Sequence, residues 1–226
     1  MNHFSTLMQL LRDREKFWLD ISKEVRLENK IVGLLICNSV FFAIYGAIIG
    51  SFNGLLQMFA SAVKLPALYL ITLIICLPTL YFFDLIYGSN RSFGQYLALL
   101  LSSMSIISVM LFCFAPITLF FRLSINDYEF FKLFNVVIFA VTGFIGINFF
   151  YRAMLFVNEQ DTEKAKYRNS IFKAWLVLYA FVGSQLGWTL RPFFGTLGKE
   201  FELFRDIEGN VYVHLFKVVS HVLGFK

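Results

Sequence analysis

The chain has 226 residues, of which 58% are hydrophobic and only 15% are charged. A water-soluble domain carries about a quarter of its residues as charged side chains, so this composition excludes an ordinary soluble globule and predicts a surface that faces lipid. The net charge of +5 does not indicate nucleic-acid binding, because basic residues also collect at the rims of membrane proteins and no run of five or six basic residues occurs.

Residues 1–30 precede the first apolar run and are predicted to form an amphipathic helix on the membrane surface. Trp18 then lies at head-group depth, and docking on a partner protein is the alternative interpretation of the same pattern. Because this stretch is polar and charged, it does not resemble a cleavable signal, and the first span is predicted to act as an uncleaved one. The apolar residues that recur at helical spacing are Phe4, Leu7, Met8, Leu11, Trp18, Ile21 and Val25.

Residues 31–195 contain five apolar segments, each long enough to cross the hydrocarbon core as a helix of about 20 residues. Backbone polar groups within lipid must be satisfied inside each segment. The predicted fold class is therefore all-α: a polytopic membrane protein with five transmembrane helices and amphipathic surface helices at both ends. The predicted spans are Ile31–Phe52, Leu65–Tyr87, Tyr96–Phe121, Leu133–Tyr151 and Ile171–Leu190.

The distribution of Lys and Arg predicts the orientation of the chain in the membrane. The segments on the side of the N-terminus carry twelve of these residues, and those on the opposite side carry eight. This bias predicts a cytoplasmic N-terminus and, after five spans, an external C-terminus. Residues 196–226 then form an external amphipathic tail, with a surface helix whose valine-rich stripe begins at Val211.

Span one contains a ridge of small residues at every fourth position, Gly46, Gly50 and Gly54. Such a ridge lets the backbone of another helix approach closely, and the partner is either a helix of the same chain or another subunit. In span two, Pro66 suits the first turn, whereas Pro78 is predicted to kink the interior. Kinked helices line a cavity in one interpretation and belong to an ordinary compact bundle in the other.

Polar side chains at membrane depth need partners, because exposing them to lipid is costly. Asp84 is the only carboxylate within an apolar segment, and we expect it either to snorkel to the interface or to pair with Arg91, which follows on the same side of the membrane. A proton carrier is the alternative interpretation of Asp84. The amides predicted to form hydrogen bonds between helices are Asn38, Asn135, Asn148 and Gln185.

The end of span five carries the densest cluster of unusual residues. Trp188 is predicted to lie at the outer interface, and Pro192 ends the helix by moving Arg191 out of helical geometry. Arg191 then reaches phosphate head groups or caps the last carbonyls, and Gly195 permits a turn that sends the tail along the surface. The segment from Gly183 to Gly195 is an anchor and exit turn in one interpretation, and a docking or gating surface facing the other spans in the second.

No catalytic motif is recognisable in the sequence. A serine nucleophile needs a base within hydrogen-bond reach, and the three histidines, His3, His214 and His221, all lie outside the predicted spans. His214 and His221 share a helical face but stand about 10 Å apart, too far to share one metal ion. The three cysteines have neither metal-binding nor disulfide spacing. We therefore predict no enzymatic activity, no metal site and no cofactor.

Three sequence elements carry a resemblance to known membrane proteins. With them the chain resembles an uncharacterised group of bacterial five-span membrane proteins over most of spans two to five, which implies a location in the bacterial cytoplasmic (inner) membrane. More distantly, five spans with an inside N-terminus are similar to the Yip family of Golgi membrane proteins, which bind small GTPases. The Asp-Leu-Tyr-Gly-Pro element expected early in that family is absent, so GTPase binding is not implied. The three elements are Gln185-x-x-Trp188-x-Leu190-Arg191-Pro192-Phe193-x-Gly195, Lys64-Leu65-Pro66-x-Leu68-Tyr69-x-x-Thr72-Leu73 and Leu77-Pro78-x-Leu80-Tyr81.

These features lead to two hypotheses of function within the lipid bilayer. The first is a non-enzymatic scaffold or adaptor subunit that packs with itself, as a homo-oligomer, or with other membrane-protein subunits in a complex. The glycine ridge and the two surface helices favour it. The second is a channel or transporter subunit for a small solute or ion, which the prolines and the intramembrane amides favour. Organisation of lipids through the amphipathic ends is a third interpretation.

Overall fold

A computed structural model describes residues 3–86, 88–125, 127–158, 165–195 and 202–204. Within these ranges the chain is all-helical, with seven α-helices and no strand. The predicted surface helix of the C-terminal tail, with its valine stripe, His214 and His221, lies outside the described residues. The helices are α1 (His3–Arg12), α2 (Arg14–Ser22), α3 (Leu27–Gly50), α4 (Leu55–Ile86), α5 (Phe93–Ser124), α6 (Tyr128–Asn158) and α7 (Ala165–Thr189), with a 3-10 turn (Ser51–Asn53) between α3 and α4.

Four of these helices are long and apolar enough to cross a membrane. They are α3 to α6, so the prediction of a helical protein with several membrane spans is confirmed for the first four predicted segments. The fifth predicted segment coincides with α7, a helix of 25 residues. This helix is not among the four, and it carries polar side chains such as Lys173 and Gln185.

The long helices run alternately between two ends of a bundle. The N-terminal end holds α1, α2 and the start of α5, since Gln95 Nε2 donates a hydrogen bond to the Ser22 carbonyl oxygen at 3.0 Å. The distal end holds the turns between α3 and α4 and between α5 and α6, where Arg122 donates to the Ser51 carbonyl oxygen at 3.2 Å. Helix α5 lies at the centre of the bundle. Of its 18-residue apolar stretch, 61% is buried, against 39% or less of the corresponding stretches of α3, α4 and α6.

Helix α4 begins ten residues earlier than the sequence predicted, at Leu55 instead of Leu65. Pro66 consequently lies inside the helix, together with Pro78, and its predicted position in the first turn is wrong. The residues before Pro66 are mostly apolar and helix-forming, so the helix continues through a proline whose missing N–H leaves only one carbonyl without its helical partner. At 32 residues α4 is about 48 Å long, longer than the hydrocarbon core.

The N-terminal region forms two short helices and not the single surface helix that was predicted. Asp13 separates them and caps α2, accepting a hydrogen bond from the Lys16 backbone N–H at 3.2 Å. Trp18 is buried, not exposed at head-group depth, because its ring lies edge-on to Phe149 of α6 at 5.2 Å. The apolar stripe is therefore divided, with Trp18 and Ile21 covered by the bundle and Phe4 left 57% exposed.

An ion pair joins these two short helices to the first turn of α3. Lys30 Nζ lies 2.8 Å from Asp20 Oδ2, to which Gln9 Nε2 also donates at 3.1 Å. The Lys30 ammonium also lies 5.0 Å from the ring centre of Phe17. Lys30 is only 3% exposed. Through its contacts with Lys30 and Gln9, the Asp20 carboxylate connects α1, α2 and α3. The hydrogen bond from Lys30 lowers the pKa of Asp20 below its ordinary value of 3.8.

We expect this carboxylate to stabilise the folded protein at neutral pH and to lose that effect under acid. A depressed pKa means that the native state binds the proton less well than the unfolded state, so the stabilisation is complete above pH 3.8 and disappears as the pH falls through the lower native value. In detergent, the difference in melting temperature between wild type and Asp20→Asn should be largest at neutral pH and vanish in acid. Glu15→Gln, at an exposed position of the same helix, should show no such difference, and an unchanged gap in acid would contradict the expectation.

Candidate functional site

Gly46 and Gly50 mark the closest approach between α3 and α4. A Cβ atom added at Gly46 would lie closer than 3.0 Å to the Ser61 carbonyl oxygen, and one added at Gly50 would lie 2.5 Å from the Gln57 carbonyl oxygen. Of the two partners that the sequence left open for this ridge, the structure places a helix of the same chain there. Gly54 does not belong to the ridge, and that prediction is wrong: it follows the helix with a φ of 102°, meets no atom within 4 Å, and permits the turn into α4.

This close approach leaves a polar face of α4 directed at the segment that follows α7. Gln57 Nε2 donates hydrogen bonds to the carbonyl oxygens of Pro192 at 2.8 Å and Phe193 at 3.2 Å. Ser61 Oγ also donates to the Phe193 carbonyl oxygen, and Lys64 Nζ donates to that of Pro192 at 3.3 Å. We name these five residues the distal clasp. It joins two segments more than 120 positions apart in the chain.

Lys64 extends the distal clasp toward the tail. Its ammonium donates to the carbonyl oxygen of Leu203 and lies 4.9 Å from the ring centre of Phe204. The side chain is 5% exposed, and a buried cation needs partners that replace its hydration. Carbonyl dipoles and an aromatic face supply them here. The lysine therefore holds both the exit from α7 and the chain beyond it against α4.

We call residues 190–195, which follow α7, the exit segment. It differs from the predicted anchor in one contact and agrees with it in another. The Arg191 guanidinium lies 3.5 Å from the ring centre of Trp188, a cation–π contact, whereas the predicted contact was with phosphate head groups or helix carbonyls. Gly195 has a φ of 73°, which fits the predicted turn. Its carbonyl oxygen accepts a hydrogen bond from the Tyr128 hydroxyl at 2.6 Å, and a Cβ atom there would collide with Asn53. The segment is thus docked against α4 and α6 of its own chain.

Replacing Gln57 with Leu is expected to release the exit segment from α4. The change removes two hydrogen bonds to backbone carbonyls, which still accept from Ser61 and Lys64, so the cost is that of the lost bonds alone, about 0.5–1.5 kcal/mol for each. In a Cys113→Ala background, a cysteine placed at Phe193 should then react with a maleimide about tenfold faster. Met58→Leu, one position along α4, is the matched control, and equal reaction rates in the Gln57 and Met58 variants would show that the clasp does not hold the segment.

A second polar cluster closes the N-terminal end of the bundle. Asp84 Oδ2 lies 3.7 Å from the Arg91 guanidinium and accepts a hydrogen bond from the Tyr96 hydroxyl. The hydroxyls of Tyr96 and Ser89 are 2.8 Å apart, and Arg91 donates to the Val157 carbonyl oxygen at 2.9 Å. The predicted neighbours Asp84 and Arg91 are therefore brought together. The cluster joins the end of α4, the start of α5 and the end of α6.

The intramembrane amides have mixed outcomes. Asn38 donates to the Leu101 carbonyl oxygen of α5 at 3.1 Å, and Asn135 of α6 accepts from the Tyr45 hydroxyl of α3 at 2.7 Å, so both connect helices as predicted. Asn148 does not: its side chain is exposed and forms no hydrogen bond with any residue that the structure describes. Gln185 is half-buried on α7.

Sequence reasoning missed the α4 half of the distal clasp. Gln57, Ser61 and Lys64 are spaced four and three residues apart, which places them on one helical face. That spacing could have indicated a shared face. It was not recognised because the helix was expected to begin at Leu65, after all three residues. Gly146 was missed as well, although an added Cβ atom there would collide with the Ile107 side chain of α5.

The contacts in these two clusters hold segments of the chain together. Among the residues that the structure describes, no group of three His, Cys, Asp or Glu side chains is placed to hold a metal ion. The polar groups of both clusters are engaged with backbone carbonyls and with one another. Their arrangement joins distant segments of the chain.

Fold and contacts define a helical multi-pass membrane protein. No family model matches the chain, and the comparisons with curated proteins and with solved structures found no match either. The resemblance to bacterial five-span membrane proteins therefore stays a prediction.

Proposed function

We propose that the protein is a non-enzymatic scaffold or adaptor subunit of a membrane-protein complex. In this proposal α7 crosses the membrane as a fifth span, the N-terminus lies in the cytoplasm, and the membrane is the bacterial inner membrane. The length of α7, the docking of its exit segment at the distal end and the excess of Lys and Arg near the N-terminus support that arrangement.

One observation carries the scaffold proposal: the buried polar side chains of the described bundle connect helices. Asn38 bonds to α5, Tyr45 to α6, and Gln57 to the segment after α7. Interhelical hydrogen bonds of this kind hold membrane helices together. A solute pathway, the alternative, needs polar groups that face a continuous opening, and these groups face neighbouring helices instead. A bundle held together in this way suits a subunit that presents a lipid-facing surface to partners.

Purification from membranes in a mild detergent, followed by native mass spectrometry, tests this proposal. We expect a complex that contains more than one chain, either copies of this protein or further membrane subunits. A lone monomer at every detergent concentration would remove the scaffold proposal. Flux assays in proteoliposomes form the second arm, because measurable transport of an ion or small solute by the purified chain would favour the channel alternative.

A further inference from the structure

Asn148 stands out among the polar residues of the four spans. It lies on α6 with its side chain exposed and with no hydrogen-bond partner in the part of the chain that the structure describes. Two other amides of the spans, Asn38 of α3 and Asn135 of α6 itself, are 2% and 0% exposed and are hydrogen-bonded. One carboxamide of the bundle therefore points away from it.

The depth of Asn148 makes this exposure costly. It lies about five residues, or about 8 Å, from the middle of the span Tyr128–Val157. The hydrocarbon core extends about 15 Å to either side of its own middle. With the middle of the span placed at the middle of the bilayer, the amide lies among acyl chains. Those chains offer neither donors nor acceptors, and an unsatisfied polar group in hydrocarbon is strongly disfavoured.

The exposed residues around Asn148 follow the spacing of a helix–helix seam. Val137, Val141, Phe144 and Asn148 are separated by four, three and four residues, the alternation of a and d positions in a left-handed coiled coil. The three apolar members are 53%, 45% and 72% exposed. Asn148 occupies an a position of this seam, and a single Asn at an a position fixes register and the number of helices.

We infer that this face of α6 binds the same face of a second copy of the chain, with the two Asn148 carboxamides hydrogen-bonded to each other across a two-fold axis. This inference names the partner surface within the proposed scaffold function and rests on it. Two copies inserted in the same orientation place their α6 helices parallel, so a two-fold axis along the membrane normal sets each residue of the seam opposite itself.

A second copy fits this surface because a carboxamide is both donor and acceptor. Two identical amides facing each other satisfy one another, whereas an acyl chain satisfies neither group. The neighbouring apolar side chains then interdigitate as in other membrane helix pairs. A different membrane protein would need its own polar group at the same depth, and a contact with it would not cross-link two copies of this chain through α6.

Disulfide cross-linking in native membranes tests the inference. The background is Cys113→Ala, which removes the one exposed native thiol, since Cys37 and Cys76 are buried. Phe144→Cys on the seam should give a disulfide-linked dimer. Ile74→Cys, at a comparably exposed position of α4 (65% against 72%), should give none. Equal cross-linking at the two positions, or none at Phe144, would overturn the inference.

Adding Asn148→Leu to the Phe144→Cys variant tests the amide itself. Loss of the interhelical hydrogen bonds should reduce the cross-linked fraction by about threefold to tenfold, while the melting temperature of the monomer stays the same or rises, because the amide has no partner within the bundle. Unchanged cross-linking would show that Asn148 has no role in the contact.

The two proposals fail in different ways. Complexes seen by native mass spectrometry without a cross-link at Phe144 would leave the scaffold function standing and remove the α6 interface. A lone monomer in that experiment would remove both.

Discussion

Gly46→Ala is expected to destabilise the folded bundle by about 1–3 kcal/mol, the usual cost of forcing an extra carbon into a packed interface. The new Cβ atom would lie closer than 3.0 Å to the Ser61 carbonyl oxygen and 3.1 Å from the Ala62 Cα atom. Both are backbone atoms of α4 and cannot rotate away, so the two helices must separate. Because Ser61 also belongs to the distal clasp, we expect the exit segment to loosen as well.

The measured quantity is the temperature at which two buried thiols become reactive. Cys37 lies on α3 and Cys76 on α4, and both are buried, so a thiol-reactive dye reports the separation of these helices in a Cys113→Ala background. Gly143→Ala is the matched control, since a Cβ atom at this helical glycine meets nothing within 4 Å. We expect the control to be neutral or slightly stabilising, and equal melting temperatures for the two variants would contradict the tight α3–α4 contact.

Asp84→Ala is expected to have the largest effect on stability, roughly 3–5 kcal/mol, because removing one member of a buried ion pair leaves the other charge uncompensated. The Arg91 side chain is only 8% exposed. The Tyr96 hydroxyl also loses the acceptor to which it donates. We expect a lower melting temperature and a lower yield of folded protein in detergent.

A double-mutant cycle separates the ion pair from simple loss of packing. Asp84→Ala combined with Arg91→Met should be less destabilised than the sum of the two single variants, because the second change removes the orphaned charge. Asp84→Asn should fall between wild type and Asp84→Ala, since it keeps an acceptor for Tyr96. Strictly additive effects would show that the two side chains do not interact in the folded protein.

Hydropathy located the long helices well and their ends less well. The predicted spans Tyr96–Phe121 and Leu133–Tyr151 lie inside α5 and α6, because transfer into lipid depends on the summed apolar content of a segment. The start of α4 was displaced because Pro66 was taken as a first-turn residue. Helix termini depend on capping and on what lies beyond them. Gly54 has a positive φ, but its spacing from Gly46 and Gly50 led to its being assigned to the helix.

The candidate sites divide in the same way. Asp84 and Arg91 could be paired from the sequence because only a short turn separates them. The partners of Pro192 and Phe193 could not, because Gln57 and Lys64 are more than 120 residues distant and nothing local indicates which helix face meets the exit segment. Asn148 was expected to have an interhelical partner, and its exposure became visible only when the rotation of α6 about its axis was known.

The sequence by itself determined that this chain is a helical, multi-pass membrane protein, because free energies of transfer into lipid add along each segment and do not depend on neighbours. Only the tertiary structure decided which residues are buried and which are exposed: Trp18 packs against α6, Gly46 packs against α4, and Asn148 is exposed. Lipid and protein interior are similarly apolar, so the hydrophobic pattern of a membrane helix does not distinguish its buried face from its exposed one. Packing and hydrogen bonding between helices make that distinction.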